Sequence, residues 1–201
     1  MNLYEFIKMN NFKGLKISLI KKFALQILMA LVHWKKNNVI HWDLKPENIL
    51  LKRVNKSGLK VIDFGSGCFK DSKIYTYIQS RFYRAPEIVL GVQYGVEIDM
   101  WSFGCILYEL LTGVPLFACE SEQDLILRIQ EYRGLPPKHL LEESSSSYKY
   151  YDGEGQPLTL TTSRGQLTVP GNKEIIDFEG MSRLLFLYFR CCRHSVCRTD
   201  W

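Results

Sequence analysis

The chain has 201 residues, 46% of them hydrophobic and 23% charged, with a formal net charge of +5. That length suits one domain, or a domain with a tail, and the composition is that of a globular chain rather than a disordered or collagen-like one. The basic excess is spread along the chain and no Lys/Arg cluster alternates with aromatic residues along one element, so no nucleic-acid partner is expected. Glu5 and Lys8 interrupt the N-terminal stretch, and the longest late apolar run, Leu184 to Phe189, is too short to cross a bilayer. The expectation is an intracellular protein, cytoplasmic or nuclear, with no membrane partner. The six cysteines fit a reducing compartment. Cys68, Cys105 and Cys119 are scattered, and Cys191, Cys192, His194 and Cys197 lack the paired spacing of a zinc site.

Taken in order, Ser18 to Trp34 carries apolar residues at 19, 20, 23, 24, 27, 28 and 31, the i, i+3, i+4 pattern of an amphipathic helix with Ser18 as its N-cap. Lys35, Lys36, Asn37 and Asn38 close it, because cations suit the negative end of the helix dipole and Asn tolerates the left-handed conformation. Two short apolar runs then lead into acids: Val39-Ile40 towards Asp43, and Leu59-Val61-Ile62 into Asp63. Asn48 to Leu51 and the turn-like Asn55-Lys56-Ser57-Gly58 lie between them, which predicts β-ribbons presenting two carboxylates at one rim. Asp43-Leu44-Lys45-Pro46-Glu47-Asn48 puts a carboxylate, an ammonium and an amide oxygen within six residues. Such a set holds Mg²⁺ through hard oxygen ligands and leaves one acid to take a proton from an attacking hydroxyl.

Further on, Asp99 to Thr112 is apolar nearly all round, which predicts a buried helix stopped by Gly113 and Pro115, with Asp99 as a candidate N-cap. Glu120 to Arg133 reads as a second helix with Leu125, Ile126 and Ile129 inward and Gly134 as its stop. Ser144 to Ser147 is a short low-complexity break, and Tyr148 to Gly171 is loop or hairpin by its Gly, Pro and Thr content.

His41-x-Asp43-x-Lys45-x-x-Asn48, followed by Asp63-Phe64-Gly65 and Ala85-Pro86-Glu87, resembles the signature set of eukaryotic protein kinases. The string YTYIQSRFYRAPE narrows the resemblance to the dual-specificity tyrosine-phosphorylation-regulated kinases. The resemblance implies a mainly α fold with small β-ribbons, the C-terminal lobe of a protein kinase. It implies ATP and Mg²⁺ as the nucleotide and metal and protein Ser/Thr as the substrate. Asp43 becomes the catalytic base, Lys45 the group that steadies the transferred phosphoryl, Asn48 and Asp63 the magnesium ligands, and Leu50 the residue under the adenine. Tyr77 becomes a self-phosphorylated tyrosine, with Arg81 and Arg84 near enough in sequence to receive its phosphate. Asp99 matches a residue that hydrogen-bonds the catalytic-loop backbone.

Three departures qualify that match. Trp42 stands where most kinases carry arginine. Met1 to Glu5 matches the segment after the hinge, and no G-x-G-x-x-G, strand lysine or partner-helix glutamate precedes it, so the N-terminal lobe is expected to be missing from this chain. Met181 to Cys192 resembles the start of a late helix, but the following D-P-x-x-R is replaced by RHSVCRTDW. In kinases that arginine pairs with the acid matching Glu87. The expected division is a partial kinase domain over 1–190 and a divergent tail over 191–201. The alternative to a kinase is a catalytically incompetent fragment acting as a binding or sequestering module.

Overall fold

The structure, a computed structural model, describes residues 1–53, 56–64, 68–69 and 78–159. The chain divides into two units, Met1–Ala85 with Gly95–Leu116, and a second made of 86–94 with the residues from 117 onward.

The first unit is built on two helices that pack against each other. Helix α1 (Leu3–Met9) opens with a capping box: Glu5 N donates to Asn2 Oδ1 at 2.8 Å and Asn2 N to Glu5 Oε2 at 2.9 Å. Helix α2 runs from Ile17 to Lys36, with Ile20, Phe23, Ala24, Ile27 and Leu31 buried. Its start corrects the expected cap. Lys16 occupies the N-cap position without a side-chain bond, and Ser18 lies inside the first turn, exposed. Packing rather than capping fixes this end: Ile20 is fully buried three residues in, and Leu15 N donates to Leu110 O at 2.8 Å on the neighbouring helix. At the other end Asn37 is the C-cap and Asn38 has φ 53°, as the Asn pair predicts. Length and composition alone would let α2 cross a membrane, but its inner face is the packing surface of this unit.

The partner helix, α4 (Glu97–Thr112), buries Ile98, Phe103, Ile106, Leu107 and Leu110 almost completely, in line with its all-round apolarity. Each such side chain contributes about 1.5–3 kcal/mol relative to exposure. Val96, not Asp99, is its N-cap residue, and Gly113 ends it at φ 85°. A Cβ at Gly113 would lie 2.0 Å from Phe12 O, so both the dihedral and the space require glycine there.

Between the helices lie two short antiparallel ribbons. Strand β1 (Val39–Ile40) pairs with β4 (Cys68–Phe69), and β2 (Ile49–Leu51) with β3 (Leu59–Val61) in the register Ile49 to Val61 and Leu51 to Leu59. Gln26 of α2 clamps the second ribbon: its Nε2 donates to Ser57 O at 2.7 Å, and Leu59 N donates to its Oε1 at 2.9 Å.

In the second unit α3 (Pro86–Leu90) packs on α5 (Glu122–Arg133), followed by α6 (Lys138–Glu143). Helix α5 begins two residues later than its sequence pattern suggests because Ser121 caps it, accepting from Asp124 N at 3.1 Å, and Gly134 ends it at φ 77°. The serine run is not a mere break. Ser144 Oγ and Ser146 N both donate to Leu90 O, and Ser145 Oγ donates to Gly91 O, which ties the run to the end of α3. Glu87 is buried within α3. Beyond it, Tyr151 bridges Pro157 across a turn held by Asp152, and the tail with its cysteines lies outside the described residues.

Candidate active site

Asp43 is reached directly from β1, and the loop that carries it is held from behind by α4. Asp99, 1% exposed, accepts His41 N on Oδ2 at 2.6 Å and Trp42 N on Oδ1 at 3.0 Å. Burial pushes the Asp99 carboxyl up to about 7 against the pull of these two N–H groups. The second anchor is His41 itself. Its Nε2 lies 2.9 Å from Ile62 O while Nδ1 accepts Asp43 N at 3.3 Å, and those partners assign the proton to Nε2. Burial lowers its pKa, opposed by the Ile62 hydrogen bond and by the carboxylates of Asp43 and Asp63, so both acids act on one imidazole. The His41 ring packs against Phe64 at 4.7 Å and Trp34 at 5.3 Å, which joins the loop to the segment that carries Asp63.

Trp42 has φ 69°, a dihedral that side chains adopt at a cost, and its paired N–H is part of what holds it. The indole is 4% exposed, so it serves the core of this loop rather than its rim.

Around Asp43 the polar groups close into one network. Oδ1 accepts Ser80 Oγ at 2.7 Å and Ser80 N at 3.1 Å, and Oδ2 accepts Lys45 Nζ at 2.6 Å. Lys45 also donates to Ser80 Oγ at 3.0 Å. Burial alone would raise the Asp43 carboxyl, but the hydrogen bonds from Lys45 and Ser80 outweigh it and hold the pKa below its ordinary value. Asn48, in the 3₁₀ turn Pro46–Asn48, donates Nδ2 to Asp43 O at 2.8 Å, which leaves its amide oxygen without a hydrogen bond among the described residues. Asp63 is exposed with φ 67°, and Ile62 N donates to Asn48 O at 2.9 Å, so the two oxygen donors sit on hydrogen-bonded neighbours. Leu50 is half-buried on β2, opposite Lys60.

The sequence reading assigned Asp43, Lys45, Asn48, Asp63 and Leu50, and the first three fall in one hydrogen-bonded cluster. Ser80 and Gln79 join the site without having been singled out by sequence, although both stand in the string YTYIQSRFYRAPE. Gln79, 7% exposed at φ 65°, donates Nε2 to Ile98 O and to Ser102 Oγ, each at 3.0 Å, and its Oε1 accepts Ala85 N at 2.8 Å. Its backbone carbonyl accepts Arg84 Nε at 3.2 Å and Nη2 at 2.8 Å. A polar residue between Ile78 and a serine is the only trace of this knot in the sequence. Arg84 is buried, Arg81 lies in the turn Arg81–Tyr83, and Tyr77 lies outside the described residues.

A half-buried carboxylate with an ammonium, a hydroxyl and an amide fixed around it, and a second carboxylate open beside the same histidine, suits transfer of an anionic group to a hydroxyl. The chain matches the protein kinase domain over residues 2–161. It is 50% identical over 188 residues to the serine/threonine-protein kinase ppk5 of Schizosaccharomyces pombe, covering 94% of this chain and 22% of that protein. It is 52% identical over 175 residues to dual specificity tyrosine-phosphorylation-regulated kinase 2 of Drosophila melanogaster, covering 87% and 24%. Against dual specificity tyrosine-phosphorylation-regulated kinase 3 of Rattus norvegicus it is 55% identical over 157 residues, covering 78% and 27%. The chain thus spans about a quarter of the length of these relatives. With the Asp43 network and a family match across most of its length, the chain belongs to the protein kinase family, and within it to the dual-specificity tyrosine-phosphorylation-regulated kinases.

Proposed function

We propose that these residues supply the C-terminal lobe, the substrate-facing side, of an ATP- and Mg²⁺-dependent kinase that acts on Ser and Thr of proteins inside the cell. The observation that carries the reading is the Asp43 carboxylate, held between Lys45 and Ser80 with Asn48 against its backbone. Asp43 orients the substrate hydroxyl and receives its proton as the bond to phosphorus forms. Its low pKa keeps it ionised at neutral pH and ready for that role. Lys45 is within reach of Asp43 and Ser80 now, and its flexible stem lets the ammonium turn to the transferred phosphoryl. The amide oxygen of Asn48, which accepts no hydrogen bond among the described residues, and the exposed carboxylate of Asp63 are hard oxygen donors, the set that Mg²⁺ accepts alongside water and phosphate. Bound there, the metal supplies neutralisation of phosphate charge. Leu50 offers an apolar contact to the adenine from β2.

Regulation follows the same reading: Tyr77 is phosphorylated by the kinase itself, and Arg81 and Arg84 receive the phosphate. Taken by themselves, the 201 residues contain no glycine-rich loop and no strand lysine of the V-A-I-K type. The isolated chain is therefore proposed to bind partners or substrates without transferring phosphate at a useful rate.

The test is a chimera in which these residues replace the matching segment of the Schizosaccharomyces pombe relative, assayed with labelled ATP on a basic protein substrate. The chimera transfers label to Ser and Thr only with Mg²⁺ present, and Asp63→Ala abolishes the transfer. Undiminished Mg²⁺-dependent transfer by the Asp63→Ala chimera would overturn the assignment.

A further inference from the structure

Helix α2 has a second apolar stripe that stays exposed among the described residues. Leu25, Met29 and Val32 are 62%, 65% and 51% exposed, while Phe23, Ala24 and Ile27 on the opposite side are buried. The three exposed residues are spaced by four and three, and the same alternation continues to Lys22 before them and Lys36 after them. That 4-3-4 spacing is the seam of a helix–helix contact. At 1.5 Å per residue the apolar part is about 10 Å long and the lysines at its ends are about 21 Å apart. From Ile17 to Lys36 the helix carries no acid at all, and Lys21, Lys22 and Lys36 are exposed. The outer face therefore reads basic, apolar, basic.

We propose that this face docks an acidic amphipathic helix of a partner protein, one that sets apolar residues at three- and four-residue spacing between Asp or Glu groups at its two ends. Charge decides against a second copy of the chain. With lysines at both ends of the seam, parallel and antiparallel pairing alike bring ammonium against ammonium. Width decides against a lipid surface. At 100° per residue, Leu25, Met29 and Val32 cover about 60° of the helix, narrower than the stripe of roughly 100° or more that faces a core, and the buried inner face is committed to α4. A helix seam needs only the narrower strip. The docking is independent of phosphoryl transfer, since none of these residues belongs to the Asp43 cluster.

The probe is a synthetic 21-residue helix with Leu at the central seam positions and Glu at both ends, compared with a twin carrying Lys in place of Glu. Binding to the 201-residue chain is read by fluorescence anisotropy. The Glu helix binds about tenfold or more tightly than its twin, and raising salt from about 50 to about 500 mM weakens it several-fold. Met29→Glu, at an exposed position that leaves the core intact, lowers affinity about tenfold. Lys22→Glu with Lys36→Glu reverses the preference in favour of the Lys helix. Equal binding of the two helices, or binding that survives Met29→Glu, overturns the proposal. So does a chain that binds phosphatidylserine vesicles in place of the Glu helix, or one that sediments as a dimer lost in Met29→Glu.

Discussion

Replacing Gln79 by Ala tests how the loop that carries Ser80 is held. The side chain is 7% exposed and makes three hydrogen bonds, two donated to Ile98 O and Ser102 Oγ and one accepted from Ala85 N. The losses are unequal. Ser102 Oγ still donates to Tyr83 O at 2.8 Å, and Ile98 O still has Ser102 Oγ at 3.3 Å, so neither is stranded. Ala85 is fully buried, and its N–H loses its acceptor, at a cost of about 1–3 kcal/mol. One buried methylene, Cγ, goes as well, at about 0.8 kcal/mol. Alanine keeps the left-handed backbone at φ 65°, so nothing is relieved there. The expected destabilisation is about 2–4 kcal/mol by summing those terms, read from urea unfolding followed by tryptophan fluorescence. A double-mutant cycle with Ser102→Ala isolates their mutual bond at about 0.5–1.5 kcal/mol. A loss below about 1 kcal/mol for Gln79→Ala would refute the reasoning, because one stranded buried N–H already costs that much.

Other outcomes follow from the same geometry. Burial raises the Glu109 carboxyl from 4.5 to about 7 despite the hydrogen bond from Tyr83. The folded state therefore holds a proton that the unfolded chain has released, and stability falls as pH rises across that window and levels off above it. Glu109→Gln removes the Glu109 share of that slope and leaves the share from Asp99, whose carboxyl is also raised to about 7, and denaturant midpoints measured between about pH 4.5 and 8 check it; parallel profiles for the two proteins would count against it. In the Schizosaccharomyces pombe chimera expressed in bacteria, mass spectrometry finds phosphate on Tyr77 without any added kinase, and phosphate on Tyr75 instead would reassign the site. Calorimetric titration of the isolated chain with Mg-ATP gives binding no tighter than about millimolar, since the glycine-rich cover and its lysine are not among these residues. Micromolar binding that disappears in Asp63→Ala would mean that some other segment, or a second chain, completes the site.

Periodicity located the cores of α2 and α4, because burial on one face or all round leaves a direct mark on apolar spacing. It missed helix starts by one or two residues where the cap was set by packing, as at Lys16, or by an unremarked serine, as at Ser121. The Asp43, Lys45 and Asn48 set was legible because its members lie within six residues and their mutual bonds are local. Ser80 was not, since it meets Asp43 from 37 positions away, and nothing in a lone serine announces a carboxylate partner. Asp99 illustrates the middle case. Resemblance supplied its role at the loop backbone, whereas the local cap reading, which rests only on residue type and position, failed because Val96 already occupies that place.

The most direct measurement for the central claim is the single-turnover rate of phosphate transfer by the Schizosaccharomyces pombe chimera with and without Asp43→Asn, taken together with the melting temperature of each. Asn keeps the volume and the Ser80 contact but cannot take the hydroxyl proton, so the rate is expected to fall by about 10²–10⁴-fold. Stability should change by no more than about 1–2 kcal/mol, because the Lys45 partner is partly exposed and the backbone bonds to Asp99 and Asn48 remain. A rate within a few-fold of the unsubstituted chimera, at equal stability, contradicts the account.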